Sequence, residues 1–171
     1  IAEQAGDERV LPDALCCRGY LTHKSGEARE ALSDLQSALR GYQRLGDRLR
    51  EGNCYGDLGE YNHNIGEPHR AKRYYDDALA IALERGDRAA LIRCQRRIAW
   101  LHMDAADWGQ AKDALLKGLA IAQEVGDRSG EASLVGTLGT IAALTKKYDE
   151  AVDHFREAEH IYQEHGSTEH A

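Results

Sequence analysis

Apolar residues return along this chain at spacings of four and three, and the whole pattern then returns after 40. Ala31, Leu35 and Ala38 form one set; Ala71, Tyr75 and Ala78 follow, then Ala111, Leu115 and Gly118, then Ala151, Phe155 and Ala158. Such offsets keep side chains on one face of an α-helix, so each set predicts a helix with a small–large–small stripe. A second series carries Gly19, Gly59, Ala99 and Gly139, preceded by Arg18, Leu58, Ile98 and Leu138. Two helices per unit are therefore expected. The first, A, falls at about 8–24, 47–64, 87–104 and 127–145; the second, B, at about 27–44, 67–84, 107–124 and 147–164. Small residues on both helices predict a close A–B crossing, small column facing small column.

Punctuation between the helices repeats at the same interval. The stretches ALRGYQRLGDR (38–48), ALAIALERGDR (78–88) and GLAIAQEVGDR (118–128) are near copies, with AEHIYQEHGST (158–168) a weaker one. Gly6, Gly46, Gly86, Gly126 and Gly166 stand 40 residues apart. Glycine takes the left-handed conformation that ends a helix. The aspartates that follow at 7, 47, 87 and 127 can cap the next one. Gly26 and Gly66 mark the A–B turns, with Ala106 and Lys146 in their place later. Pro68 suits a first helical turn; Pro12 means a helix starting near Leu11 or a distorted first turn. A fixed period of this size indicates stacked units, here 6–45, 46–85, 86–125 and 126–165. The fold class is all-α, an α-α solenoid of eight helices. The opening IAEQAGDERV reads as the tail of a helix and the closing GSTEHA as the start of a further unit, so a piece of a longer array is expected.

Charge and cysteine usage narrow the function. A net charge of −7 and a pI near 5.6 argue against general attraction to nucleic acid or acidic membranes, and no apolar run approaches a membrane span. Cys16, Cys17, Cys54 and Cys94 form no C-x-x-C pair. Cys54 and Cys94 share one column with Ala14 and Leu134, which predicts a small buried side chain. A disulfide framework or zinc site is not expected, and a reducing, cytoplasmic compartment fits. No nucleophile elbow, zincin motif or phosphate loop occurs, so neither enzymatic activity nor a cofactor is expected.

The columns resemble the tetratricopeptide repeat. Tyr55-x2-Leu58-Gly59 and Val135-x2-Leu138-Gly139 match its first part, Ala71-x3-Tyr75 and Ala151-x3-Phe155 its second. The period is 40 rather than about 34; Asn62, His102 or Ala142 stands where Tyr is usual, and the closing Pro is absent. The longer period resembles kinesin-light-chain repeats and those of bacterial signalling ATPases and regulators. This resemblance implies a scaffold whose A helices line a concave groove that grips a protein or peptide. The implied groove positions include Tyr20, His23 and Lys24 in the first unit. They include Asn53, Asp57, Glu60, His63 and Asn64 in the second, and Arg93, Arg96, Arg97 and Trp100 in the third.

Arg93, Arg96 and Arg97 share a helical face beside Trp100, and guanidinium groups there suit a carboxylate or phosphate. Arg93 and Arg97 match the two basic positions of the family's carboxylate clamp. Cys16, Tyr20 and Asp57 replace its other residues, so the full clamp is absent. Either the cluster takes an acidic partner segment or it pairs with Asp57 and Glu60. His23 and His63 share a column, but two histidines alone make a weak metal site; polar groove residues are expected instead. A second reading is a regulatory or effector-sensing arm of a bacterial multidomain ATPase or transcription regulator. Exposed end helices offer apolar faces, so uncapped ends favour self-association.

Overall fold

The computed structural model describes residues 2–25 and 28–168, with side chains described over 10–21 and 30–164. Every element among them is an α-helix: α1 (Ala2–Ser25), α2 (Ala28–Leu45), α3 (Arg48–Asn64), α4 (Pro68–Arg85), α5 (Arg88–Asp104), α6 (Trp108–Val125), α7 (Arg128–Leu144) and α8 (Tyr148–Thr168). The helices form two compact units, Ile1–Arg85 and Gly86–Ala171.

In the first unit α1 pairs with α2 and α3 with α4, while α2 packs on α3. Leu35, Ala38, Tyr42, Cys54, Leu58 and Tyr61 form its core, with Leu15, Cys16 and Tyr74 at the margin. The second unit repeats the plan: α5 pairs with α6, α7 with α8, and α6 packs on α7. Ile92, Ala99, Met103, Leu115, Leu134 and Leu138 fill its centre. Ala132, Val135, Ala158 and Ile161 continue the strip toward α8.

The expected hinges form where the flanking helices pack. Gly46, Gly86 and Gly126 adopt φ of 64°, 63° and 70°. Asp47, Asp87 and Asp127 then accept hydrogen bonds from the amides of Arg50, Ala90 and Gly130 at 3.2, 2.9 and 2.8 Å. The A–B turns use the same backbone region, at Gly66 (φ 77°), Ala106 (54°) and Lys146 (61°); Gly26 lies outside the described residues. Two hinges do not form. Helix α1 begins at Ala2, six residues before the expected start, and runs through Gly6 and Asp7; α8 runs through Gly166. Glycine permits the left-handed turn without imposing it, and a helix tolerates an interior glycine at a cost of about 1 kcal/mol.

Pro12 consequently lies inside α1. It is buried, and its ring fills the space beside Gly41 of α2 that a Cβ there would need.

The A–B crossing differs from the expectation in one respect. The small A column chiefly faces the large B residue, and the small B column meets it at Gly19, where a Cβ would lie 3.1 Å from the Ala31 carbonyl oxygen. A Cβ on Gly19 would come within 2.9 Å of Leu35, one on Gly139 within 2.9 Å of Phe155, and one on Gly59 would overlap the Tyr75 ring. The helices approach because each large side chain is seated on bare backbone.

Polar ties reinforce the repeat. Arg48–Glu84, Arg88–Glu124 (3.1 Å) and Arg128–Glu164 (2.7 Å) each join the first residue of an A helix to the C-terminal part of its own B helix. Glu51 and Glu131 are buried, yet each is satisfied by an arginine of its own helix (Arg48 at 2.7 Å, Arg128 at 2.6 Å). A glutamine of the preceding helix completes each site, Gln43 at 3.3 Å and Gln123 at 3.0 Å. A buried carboxylate is tolerated only with such partners. Cys54 and Cys94 are buried, as is Leu134 in the same column, whereas Ala14 is exposed.

Candidate functional site

Helix α5 sorts its residues cleanly. Leu91, Ile92, Cys94, Ala99, Leu101 and Met103 are buried. Arg93 is exposed, Arg96 and Arg97 are half-buried, and Trp100 retains 42% exposure. The four share one face because their separations are three, four and seven. Arg96 is held toward α7, its Nη1 donating to Ser133 Oγ at 2.8 Å. On α7 the corresponding positions are Ser133, Gly136, Thr137 and Thr140, all small. Thr137 and Thr140 turn their hydroxyls onto the carbonyls of Ser133 and Gly136, at 2.8 and 3.2 Å. A basic, aromatic helix face therefore stands beside a low, mostly neutral one.

In the first unit the predicted positions also fall on one face of α3. Asn53 and Asn64 are exposed, while Asp57, Glu60 and His63 are half-buried; Tyr20 on α1 is 43% exposed. The side chains of His23 and Lys24 lie outside the described residues. The α3 face and the α5 face belong to different units.

Below the α3 face lies a polar group that the column pattern did not reveal. Cys16 Sγ donates to Asp57 Oδ2 at 3.9 Å, and the Tyr42 hydroxyl donates to Asp13 Oδ1 at 2.9 Å. Arg50 Nε meets Asp13 at 3.0 Å. Burial, then the bond to Asp13, pushes the Tyr42 hydroxyl well above the usual phenol range. At the other edge of α1, Arg18 clasps Asp34 of α2 through two nitrogens at 2.5 and 2.7 Å and holds its carboxyl below the ordinary value.

One B-helix position departs from its column. Leu35, Tyr75 and Leu115 are 1%, 1% and 0% exposed, but Phe155 is 45% exposed. With Tyr162, 47% exposed, it rims a shallow hollow against Ser133, Gly136 and Thr140. Among the described residues no group of three or more His, Cys, Asp and Glu could hold a metal ion. No helix among them is long and apolar enough to cross a membrane.

Residues 11–84 match the family model described as tetratricopeptide repeat. No curated protein matches the chain. Solved structures similar to it include aspartyl phosphate phosphatase F from Bacillus subtilis (TM-score 0.84, 15% identity, covering 96% of this chain and 43% of that one). BtubC from P. vanneervenii is similar over 93% of this chain and 66% of its own (TM-score 0.79, 17% identity). A signal transduction ATPase with numerous domains and a tetratricopeptide repeat sensor, from Pyrococcus horikoshii, is similar over 91% of this chain (TM-score 0.77, 19% identity). The chain spans only 24% of that protein. The chain thus covers less than two thirds of each of these proteins. At such identities the likeness shows the fold: an all-α solenoid of tetratricopeptide-type helix pairs.

Proposed function

We propose that this tetratricopeptide-type scaffold binds a protein or peptide segment on the exposed faces of its A helices, without catalysis. The Arg93–Arg96–Arg97–Trp100 face of α5 takes an acidic stretch of that partner. The observation that carries this reading is the two-sided burial of α5. Its apolar half is committed to the core, while three guanidinium groups and an indole occupy the other half. Guanidinium forks match carboxylates in two-point geometry, and an adjacent indole offers apolar area at low entropic cost. The chain carries −7 overall, which opposes an acidic partner at long range. Screening confines that opposition to about 8 Å at physiological salt, so the local basic face decides binding. The four cysteines are free thiols, in keeping with a cytoplasmic setting. Exposed Phe155 and Tyr162 also favour weak self-association, which light scattering across a dilution series would register.

The test is a glutamate-rich peptide titrated against the Trp108→Phe chain, so that Trp100 fluorescence reports the α5 face alone. Saturable quenching that is lost on joint Arg93→Glu and Arg97→Glu substitution supports the reading. Unchanged binding in the reversed variant refutes it.

The second reading is a regulatory or effector-sensing arm of a larger signalling protein. It draws support from the sensor repeat of the Pyrococcus ATPase. A nucleotide-binding or helix-turn-helix domain in the adjoining sequence would favour it.

A further inference from the structure

Two B helices each form a seat for the A helix that follows. On α2 the seat is Leu35, Ala38, Tyr42 and Gln43, and α3 fills it. On α6 it is Leu115, Gly118, Ala122 and Gln123, and α7 fills it. The two seated helices match. Each presents a glutamate and then apolar residues three, seven and ten places on. These are Glu51, Cys54, Leu58 and Tyr61 in α3, and Glu131, Leu134, Leu138 and Ile141 in α7, all buried. Gln43 donates to Glu51 at 3.3 Å and Gln123 to Glu131 at 3.0 Å. Cys54 donates to the Leu35 carbonyl at 3.3 Å, and a Cβ on Gly118 would lie 3.3 Å from Leu134. Glutamine and glutamate also vary together: where the glutamine is replaced by Leu83, the residue eight places on is Leu91.

Helix α8 carries the same set as Phe155, Ala158, Tyr162 and Gln163. With Ser133, Gly136 and Thr140 of α7 these residues bound a hollow of about 690 Å³. We propose that this hollow is a docking site for an amphipathic α-helix of a partner protein. The guest presents a glutamate with apolar residues three, seven and ten places on, and a basic residue four places after the glutamate. Its apolar row covers the Phe155 and Tyr162 rings, 45% and 47% exposed, as anchors at helical spacing fill a groove. Its glutamate accepts from Gln163, which here donates to Glu159 of its own helix at 3.2 Å.

The basic residue follows from Glu159, which stands where α2 and α6 have Leu39 and Leu119. Leu119 packs against Ala132 and Val135 of the seated α7, one and four places after its glutamate. A guest on α8 therefore meets a carboxylate at that place, and Lys or Arg complements it and sets the register. A second copy of this chain is a poor guest. At the four corresponding places α1 has Leu11, Ala14, Arg18 and Leu21, with no glutamate, and Arg18 is clasped by Asp34. The inference does not depend on the basic face of α5, whose proposed partner is acidic.

The probe is a fluorescein-labelled peptide of residues 128–144 carrying Val135→Lys, titrated with the whole chain and read by anisotropy. Saturable binding is expected. Tyr162→Glu in the chain should weaken it by about tenfold or more, with helical circular dichroism unchanged. Glu159→Lys tests the charge pairing separately. The unaltered chain should prefer the Val135→Lys peptide, and the Glu159→Lys chain a Val135→Glu peptide, each by about threefold. No saturable binding of the Val135→Lys peptide would overturn the proposal. So would equal binding by the Tyr162→Glu chain, or a peptide preference that Glu159→Lys leaves unchanged. Labelled whole chain that binds unlabelled chain through Tyr162, while the peptides do not bind, would give the seat to a second copy and overturn it as well.

Discussion

The ring of Tyr75 on α4 occupies the space that a side chain at Gly59 of α3 would need. The same relation, 16 residues apart, joins Leu35 to Gly19 and Phe155 to Gly139. The third pair is different: Ala99 stands on α5, and Leu115 on α6 is fully buried in the same cluster. At Ala99, though not at the tighter Gly19–Leu35 crossing, a methyl group is therefore accommodated beside a leucine partner. It is not compatible with the longer, planar tyrosine.

Gly59→Ala should destabilise the chain by about 1–3 kcal/mol, even though alanine is the better helix former by about 1 kcal/mol. Combining it with Tyr75→Leu reproduces the Ala99–Leu115 pair and should recover at least half of that loss. Urea midpoints across the four-member cycle would measure the coupling. Simple additivity would rule out the direct overlap.

Ala106 and Lys146 adopt left-handed backbone without being glycine. Ala106→Gly and Lys146→Gly should each stabilise by about 0.5–1 kcal/mol, since the steric cost outweighs the entropy that glycine adds to the unfolded chain. Gly126→Ala should do the reverse by a similar amount, because nothing within 4 Å would touch the new methyl. Thermal melts of the three variants would check the opposite signs.

Acid should weaken the fold through named groups. Asp34, Glu84 and Glu150 have carboxyl pKa values below ordinary, held there chiefly by bonds from Arg18, Arg48 and Lys147. A depressed pKa means that the unfolded chain binds more protons in that interval. The stabilisation is full above the unfolded values, about 4, and disappears as pH falls through the folded ones. Asp77 runs the other way: burial raises its pKa, so its charged form opposes folding near neutrality and that opposition fades in acid. Three groups against one predict a net loss between about pH 5 and pH 2. Asp34→Asn should flatten the slope of urea midpoint against pH. An unchanged slope would remove the Arg18–Asp34 pair from the account.

Capping should be felt at a hinge and hardly at all on a free face. Asp127→Ala removes the acceptor for the Gly130 amide and should cost about 1 kcal/mol. Lys72→Ala disturbs only an exposed pair with Asp76 and should cost less than about 0.5 kcal/mol. Parallel denaturation curves would separate the two.

Much of this was legible in the residues because the pattern repeats. Helix ends at Gly46, Gly86 and Gly126, the aspartate caps after them and the buried Cys54 and Cys94 all follow from reading one column at a time. Contacts that join different columns were not legible that way. Cys16 reaches Asp57 of α3, and its repeat equivalent is Gly56, so no column lines up the two. Asp107 caps α6 through the Gln110 amide at 3.2 Å, yet it follows Ala106 rather than a glycine. The partner of Gly59 was misassigned for the same reason: the column shows which positions are small, but crossing geometry decides what they face. Arg93, Arg96, Arg97 and Trp100 do share one helical surface, as their spacing required. What touches that surface depends on chemistry outside the sequence.

The arginine–glutamate ties at 48–84, 88–124 and 128–164 have a bearing on how such a chain can change length. The first two begin and end between successive Gly-Asp corners, and the third begins after the corner at Gly126 and Asp127. Deleting or duplicating a 40-residue segment cut at those corners would carry both charges together and strand neither. A segment that genetic rearrangement could shuffle, or that an engineer could splice, thus keeps this tie whole, while pairs such as Arg50–Asp13 cross a corner and would be cut.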